Sequence, residues 1–158
     1  MSEWAPFVSF VLSLPASYFV AAVTVRMALR RYQSEKWFER RLDAYTQVIE
    51  ALHKMKRCTG HRMEAEMKDE PIAGESEKLL LAEYASGLRE LERLTDIGAL
   101  VFSTDMVGLL DKLLVDLNKA YDEPTLFHYL NEQTGALSES LKSVRLIAIR
   151  DLNAPKFF

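Results

Sequence analysis

Charge is missing from the head of this chain. Trp4–Val25 is a run of 22 residues without one Asp, Glu, Lys or Arg. Cysteine is nearly missing as well. Cys58 stands alone, which excludes an internal disulfide framework and fits a reducing cytosol. The 6 glycines are scattered, so no phosphate-cradling loop can be drawn, and no serine lies in a nucleophile-elbow pattern. No segment alternates with period two over a useful length, which argues against a sheet. Internal repeats and low-complexity tracts are also lacking.

What is present begins with the uncharged run. As an α-helix its 22 residues would reach roughly 33 Å, enough for a bilayer core. A secretory signal peptide is the rival, but such peptides open on positive charge, and this chain opens Met1-Ser2-Glu3. Positive charge follows the run instead, at Arg26, Arg30, Arg31, Lys36, Arg40 and Arg41. Basic residues stay on the cytoplasmic side of a span, so the expected topology is N-terminus out, with the C-terminal part in the cytosol. Residues 1–60 carry 9 basic and 5 acidic side chains, and residues 61–158 carry 11 and 18. The basic part suits anionic headgroups, and the acidic part disfavours nucleic acid. Pro15 is expected to kink the span.

Neither Pro nor Gly interrupts Ala16–Thr59, so the span is expected to run directly into a first soluble helix. Its apolar seam reads Phe38, Leu42, Tyr45, Ile49 and Leu52. Phe38 is assigned to the core and its neighbour Trp37 to the membrane interface. Asp69–Gly74 reads as a loop. A second helix is expected over about 75–96, with Leu80, Tyr84, Leu88, Leu91 and Leu94 on one side. A corner holding Gly98 follows. Ser103 is the expected N-cap of a third helix carrying Met106, Leu110, Leu113, Leu117 and Ala120. After Asp122-Glu123-Pro124, with Pro124 placed in a first helical turn, a fourth helix carries Phe127, Leu130, Leu137, Leu141, Val144 and Ala148. Gly135 is a candidate kink. The fold class is therefore all-α: a transmembrane helix over 1–32, then an up-down bundle of about four helices over 33–158.

The stretch Lys36-Trp37-Phe38-Glu39-Arg40-Arg41-Leu42-Asp43-Ala44-Tyr45, with Ile49–Lys56 after it, resembles the juxtamembrane helix of a group of small bacterial membrane-anchored helical proteins. Ile147–Leu152 is similar to their C-terminal end. The resemblance implies a bacterial, single-span, all-helical protein, and it carries over no catalytic residue.

Three constellations have the spacing of chemistry. Glu50-Ala51-Leu52-His53 matches the Glu-x-x-His motif of di-iron bundles, but a second copy is absent. His128 and Glu132 sit one turn apart. Cys58 lies one turn from His61, with His53 further back, an arrangement for a nucleophilic thiolate or a zinc ligand. The plainer expectation is that Cys58 packs as a small apolar residue and that the other groups lie on solvated faces. No catalytic, cofactor or metal residue is assigned.

The functional expectation is a non-enzymatic, membrane-anchored helical interaction module at the bacterial inner membrane, either a scaffold or a membrane-perturbing defence effector acting as an oligomer. Its partners would be the membrane, further copies of itself or a larger membrane complex. Ala5, Ser9, Ser13, Ser17 and Ala21 form a ladder of small residues suited to self-association of spans. Arg30, Arg31, Lys36, Trp37, Arg40 and Arg41 are the expected headgroup contacts. The alternative is a metal-dependent enzyme with a bundle-core site near Glu50 and His53.

Overall fold

The structure is a computed structural model. It describes residues 5–153, with side chains from residue 22 onward. Among these the fold is all helical: α1 (Ala5–Lys68), α2 (Gly74–Gly98), α3 (Thr104–Lys119), a short 3-10 turn (Ala120–Asp122) and α4 (Leu126–Asn153). The chain divides into two compact units, Met1–Glu39 and Arg40–Phe158. The expected span Trp4–Val25 and the ladder Ala5, Ser9, Ser13, Ser17 and Ala21 fall on residues whose side chains, through residue 21, lie outside the described set. Among the described residues no helix is long and apolar enough to cross a membrane.

The second unit is a bundle built from the rest of α1 and from α2, α3 and α4. Short connections force successive helices antiparallel. Long-range contacts agree: Tyr45 near the start of this part of α1 meets Phe102 after α2 and Asp151 near the end of α4. At the opposite end, Arg62 lies with Tyr84, Tyr121 and Tyr129. The core is a continuous cluster of Tyr45, Val48, Leu52, Met55, Leu91, Leu94, Phe102, Met106, Leu110, Leu113, Leu117, Leu137, Leu141, Val144 and Ala148. Every apolar residue expected to line α3 is buried. So are Leu91 and Leu94 of α2, and five of the six residues expected on α4; Phe127 is 39% exposed.

The α1 seam differs from expectation. Phe38 and Leu42 are both 45% exposed. Phe38 belongs to the first unit, before the bundle begins. The inward stripe instead runs Arg41, Tyr45, Val48, Leu52, Met55, Thr59 and Arg62, in alternating steps of 4 and 3. It shares only Tyr45 and Leu52 with the apolar reading. Its ends are arginines and one member is a threonine, so a search for apolar residues alone slips to the neighbouring stripe.

Two glycines permit close approach. A Cβ on Gly87 would stand 2.8 Å from Met55 Cγ and 3.1 Å from the Ala51 carbonyl, so α2 crosses α1 at this point with no room for a side chain. Gly98 is the last residue of α2, and Phe102 folds back over it. Gly135 leaves α4 continuous, and α1 continues through Gly60.

The helix ends follow capping chemistry. At the end of α1, Glu70 N–H donates to the Ala65 carbonyl at 3.0 Å and Asp69 N–H to Glu66 at 3.3 Å. This is a Schellman closure, and it puts Asp69 at φ 53°, where an L-residue with a side chain is disfavoured. Asp69→Gly should stabilise the bundle by about 1 kcal/mol in denaturant unfolding. An unchanged or lower midpoint would contradict this account of the turn. Ser103 caps α3 as expected, accepting from Met106 N–H at 3.4 Å. Pro124 sits just outside α4 rather than in its first turn. Thr125 follows it, and its hydroxyl accepts from His128 N–H at 3.2 Å.

Candidate functional site

The basic segment after the uncharged run is helical throughout and exposed. On a helix of 3.6 residues per turn, Arg26, Arg30 and Trp37 fall on one stripe, within about 40° of Arg26. Val25, Leu29, Tyr32 and Lys36 form the stripe beside it, and Val25, Leu29 and Tyr32 are each more than half exposed. Apolar and cationic side chains therefore stand side by side, the pairing that a headgroup layer accommodates.

The charges are not all equally available. Arg31 pairs with Glu35 at 3.0 Å and Lys36 with Glu39 at 2.7 Å, while Lys36 also lies 5.9 Å from the Tyr32 ring centre. Both are exposed helix-surface pairs, which contribute little and are screened by salt. Arg26, Arg30 and Arg40 make no ion pair among the described residues.

Arg41 departs from its expected role. Its guanidinium turns into the bundle, donating from Nε to the Val101 carbonyl at 2.9 Å and from Nη1 to the Asp151 carbonyl at 3.4 Å. Carbonyls in the last turn of a helix lack intrahelical partners and carry the negative end of its dipole, so a cation belongs there. Arg41 therefore closes the end of α4, and the exposed cationic set is Arg26, Arg30, Arg31, Lys36 and Arg40.

Beside Arg41 lies a polar node that apolar patterning cannot reveal. Tyr45 donates a short hydrogen bond to Asp151 Oδ2, and Arg150 approaches Asp151 Oδ1 at 3.3 Å. Arg150 also pairs with Asp105 at 2.8 Å. Burial alone would raise the Asp151 pKa. Hydrogen bonds from Ser103, Tyr45 and Arg150 outweigh it and hold the carboxyl below its ordinary value. Burial, with the Asp151 carboxylate beside it, pushes the Tyr45 phenol up to about 12. The node joins α1, the α2–α3 corner and α4 at one end of the bundle. The only sequence signal for it was polar residues at in-register positions: Arg41 on the α1 stripe and Asp151 next to Leu152.

The residues with catalytic spacing are not assembled. Glu50 and His53 are exposed on α1 rather than inside the bundle, and His53 Nε2 lies 3.2 Å from Arg145. His128 Nδ1 sits 2.6 Å from the Thr125 hydroxyl at the start of α4. Among the described residues no group of three His, Cys, Asp or Glu side chains could share a metal ion. Cys58 is buried, with Sγ 3.7 Å from Glu83 Oε2, while His61 is exposed. Burial and the adjacent Glu83 push the thiol pKa up, the opposite of what a nucleophile needs. Arg57 pairs with the same Glu83.

No family model matches this chain, and neither does any curated protein or solved structure.

Proposed function

We propose that this protein is a membrane-anchored helical interaction module whose bundle is held at the cytosolic face of a bacterial inner membrane. The observation that carries the reading is the uncharged run Trp4–Val25, at the head of a helix that continues into an exposed basic and apolar segment. The run supplies the length and apolarity of a span, and Arg26, Arg30, Arg31, Lys36 and Arg40 supply the positive flank that orients it. The acidic remainder of the chain has no such attraction to anionic lipid. The bundle itself acts as a scaffold.

Self-association through the small-residue ladder extends this reading. Lipid gives apolar helices no reason to meet, so close backbone approach and serine hydrogen bonds would hold the spans together. Ser13→Leu with Ser17→Leu keeps the run apolar while removing that approach. Cross-linking in native membranes should fall several-fold with insertion unchanged. Wild-type cross-linking in the double variant would rule the ladder out as the contact.

Orientation is tested by fusing a periplasm-dependent phosphatase to the C-terminus of the full chain. The fusion should be made at normal level and be silent, because that reporter works only outside the cytosol. High activity would place the bundle on the other side and overturn the topology.

A further inference from the structure

At the end of the bundle away from the Tyr45–Asp151 node, three hollows adjoin. The first is a cavity of about 210 Å³ walled by Tyr84, Tyr121 and Tyr129, with Leu80 and Leu81 beside them. Arg62 of α1 and Gln133 of α4 also line it. The second, of about 330 Å³, lies against Arg62, Ile72 and Leu126. The third, of about 410 Å³, lies against Ile72, Leu79 and Leu80. Arg62, Ile72 and Leu80 are each shared by two of these hollows, so the three form one continuous depression.

Its apolar members are not covered. Leu79 is 68% exposed and Tyr121 59%, and Leu81 and Leu126 are exposed as well. Apolar side chains scattered singly over a surface need no explanation, but grouped in one depression they mark a binding surface. Tyrosine offers a large, rigid contact area at low entropic cost, and tyrosine and arginine are enriched where the energy of protein contacts concentrates. Tyr121 and Tyr129 hold each other in place, ring centres 5.2 Å apart.

Charge at the rim selects the occupant. Glu66, Asp69, Glu70 and Glu77 line the second hollow against one guanidinium, that of Arg62, so the hollow is negative. None of the four makes an ion pair among the described residues, whereas Glu64 is paired with Lys68 and Glu83 with Arg57. An anionic lipid surface is repelled here. A second copy meeting this face with its own would set carboxylate against carboxylate. A protein segment with Lys or Arg beside apolar anchors is attracted instead. Among the described residues there is no strand, so an extended peptide finds no sheet edge to pair with. A helix satisfies its own backbone and needs only the apolar depression.

From these features we propose that this tip of the bundle docks a basic amphipathic helix of a partner protein, its apolar face seated on Leu79, Leu81 and Tyr121 and its flanking Lys or Arg side chains on Glu66, Asp69, Glu70 and Glu77. The surface rests on the bundle being an interaction module and names the kind of partner such a module takes. Residues of the uncharged run have no part in the contact.

The probe is a fluorescent helical peptide of about 18 residues, leucine on one face and lysine on the other. It is titrated by anisotropy into the full chain held in phosphatidylcholine nanodiscs, with empty nanodiscs as the background. The comparison peptide carries glutamine at each lysine. Saturable binding above the background is expected for the lysine peptide, at least about tenfold tighter than for the glutamine peptide and weaker in high salt. Glu66→Lys with Glu70→Lys should weaken it about tenfold or more, and Leu79→Ser with Leu81→Ser several-fold. All four positions are exposed, and circular dichroism checks that the variants keep their helices. Glu92→Lys, an exposed change on α2 outside the depression, should leave the affinity unchanged. No binding above empty nanodiscs, equal binding of the two peptides, full affinity in the Glu66 and Glu70 double variant, or an equal loss in Glu92→Lys would overturn the assignment. Membrane retention is measured separately by carbonate extraction, so failure of the anchor and failure of this surface give different results.

Discussion

Leu113→Ala and Leu141→Ala should each destabilise the bundle by about 2–5 kcal/mol. Leu113 is 1% exposed and Leu141 4%, and both belong to the continuous core that joins all four helices. Truncation removes three carbons that had left water and opens a cavity that neighbours on rigid helices fill only in part. In a domain of this size such a loss lowers the melting temperature by about 10 °C or more. Leu146 is the internal control. It lies on α4 close to Leu141 but is 70% exposed, so Leu146→Ala should change stability by no more than about 0.5 kcal/mol. Losses below about 0.5 kcal/mol at both Leu113 and Leu141 in denaturant unfolding would mean that the helices do not bury these faces together.

Tyr45→Phe should cost about 1–3 kcal/mol near neutral pH, because it removes a donor from the buried Asp151 carboxylate without altering the ring packed on Phe102. It should also change the pH dependence in a definite direction. Asp151 has a folded pKa below its ordinary 3.8, so its contribution is complete above that value and is lost as pH falls through the folded pKa. Without the Tyr45 donor the carboxyl takes up its proton sooner, and the acid-unfolding midpoint should move to higher pH. The phenol works in the opposite sense. Its pKa is raised from 10.0 to about 12, so its contribution is complete below pH 10 and disappears as pH rises toward 12. Part of the alkaline transition should vanish in Tyr45→Phe, and the remainder should persist because Tyr84 and Tyr129 are shifted the same way. Unfolding curves at acid, neutral and alkaline pH check all three statements. An unchanged acid midpoint would show that the node does not hold Asp151 ionised.

The helical content and most of the core were legible in the sequence because α3 and α4 repeat large apolar residues at helical spacing. Met106, Leu110, Leu113 and Leu117 admit only one inward face. The α1 stripe was harder to see. It carries Arg41, Thr59 and Arg62 in the same register as Tyr45, Val48, Leu52 and Met55, so a pattern of apolar residues alone passes over them and picks out Phe38 and Leu42 instead. Those polar members are the ones that reach the Asp151 node at one end and the tyrosine cavity at the other. Both sites are made by residues far apart in sequence, Tyr45 with Asp151 and Arg62 with Gln133. No local spacing encodes such pairs. Glu50 and His53 show the converse: their one-turn spacing is local and real, yet the turn they occupy faces outward.

Carbonate extraction of membranes from cells producing the full chain tests the central claim most directly. Alkaline carbonate strips proteins held to a membrane by charge or by a partner and leaves behind those held by a hydrophobic span. If Trp4–Val25 anchors the bundle, the full chain stays with the membrane pellet, and a chain starting at residue 33 is recovered in the soluble fraction. Release of the full chain into the supernatant would contradict the anchor and, with it, the proposed function.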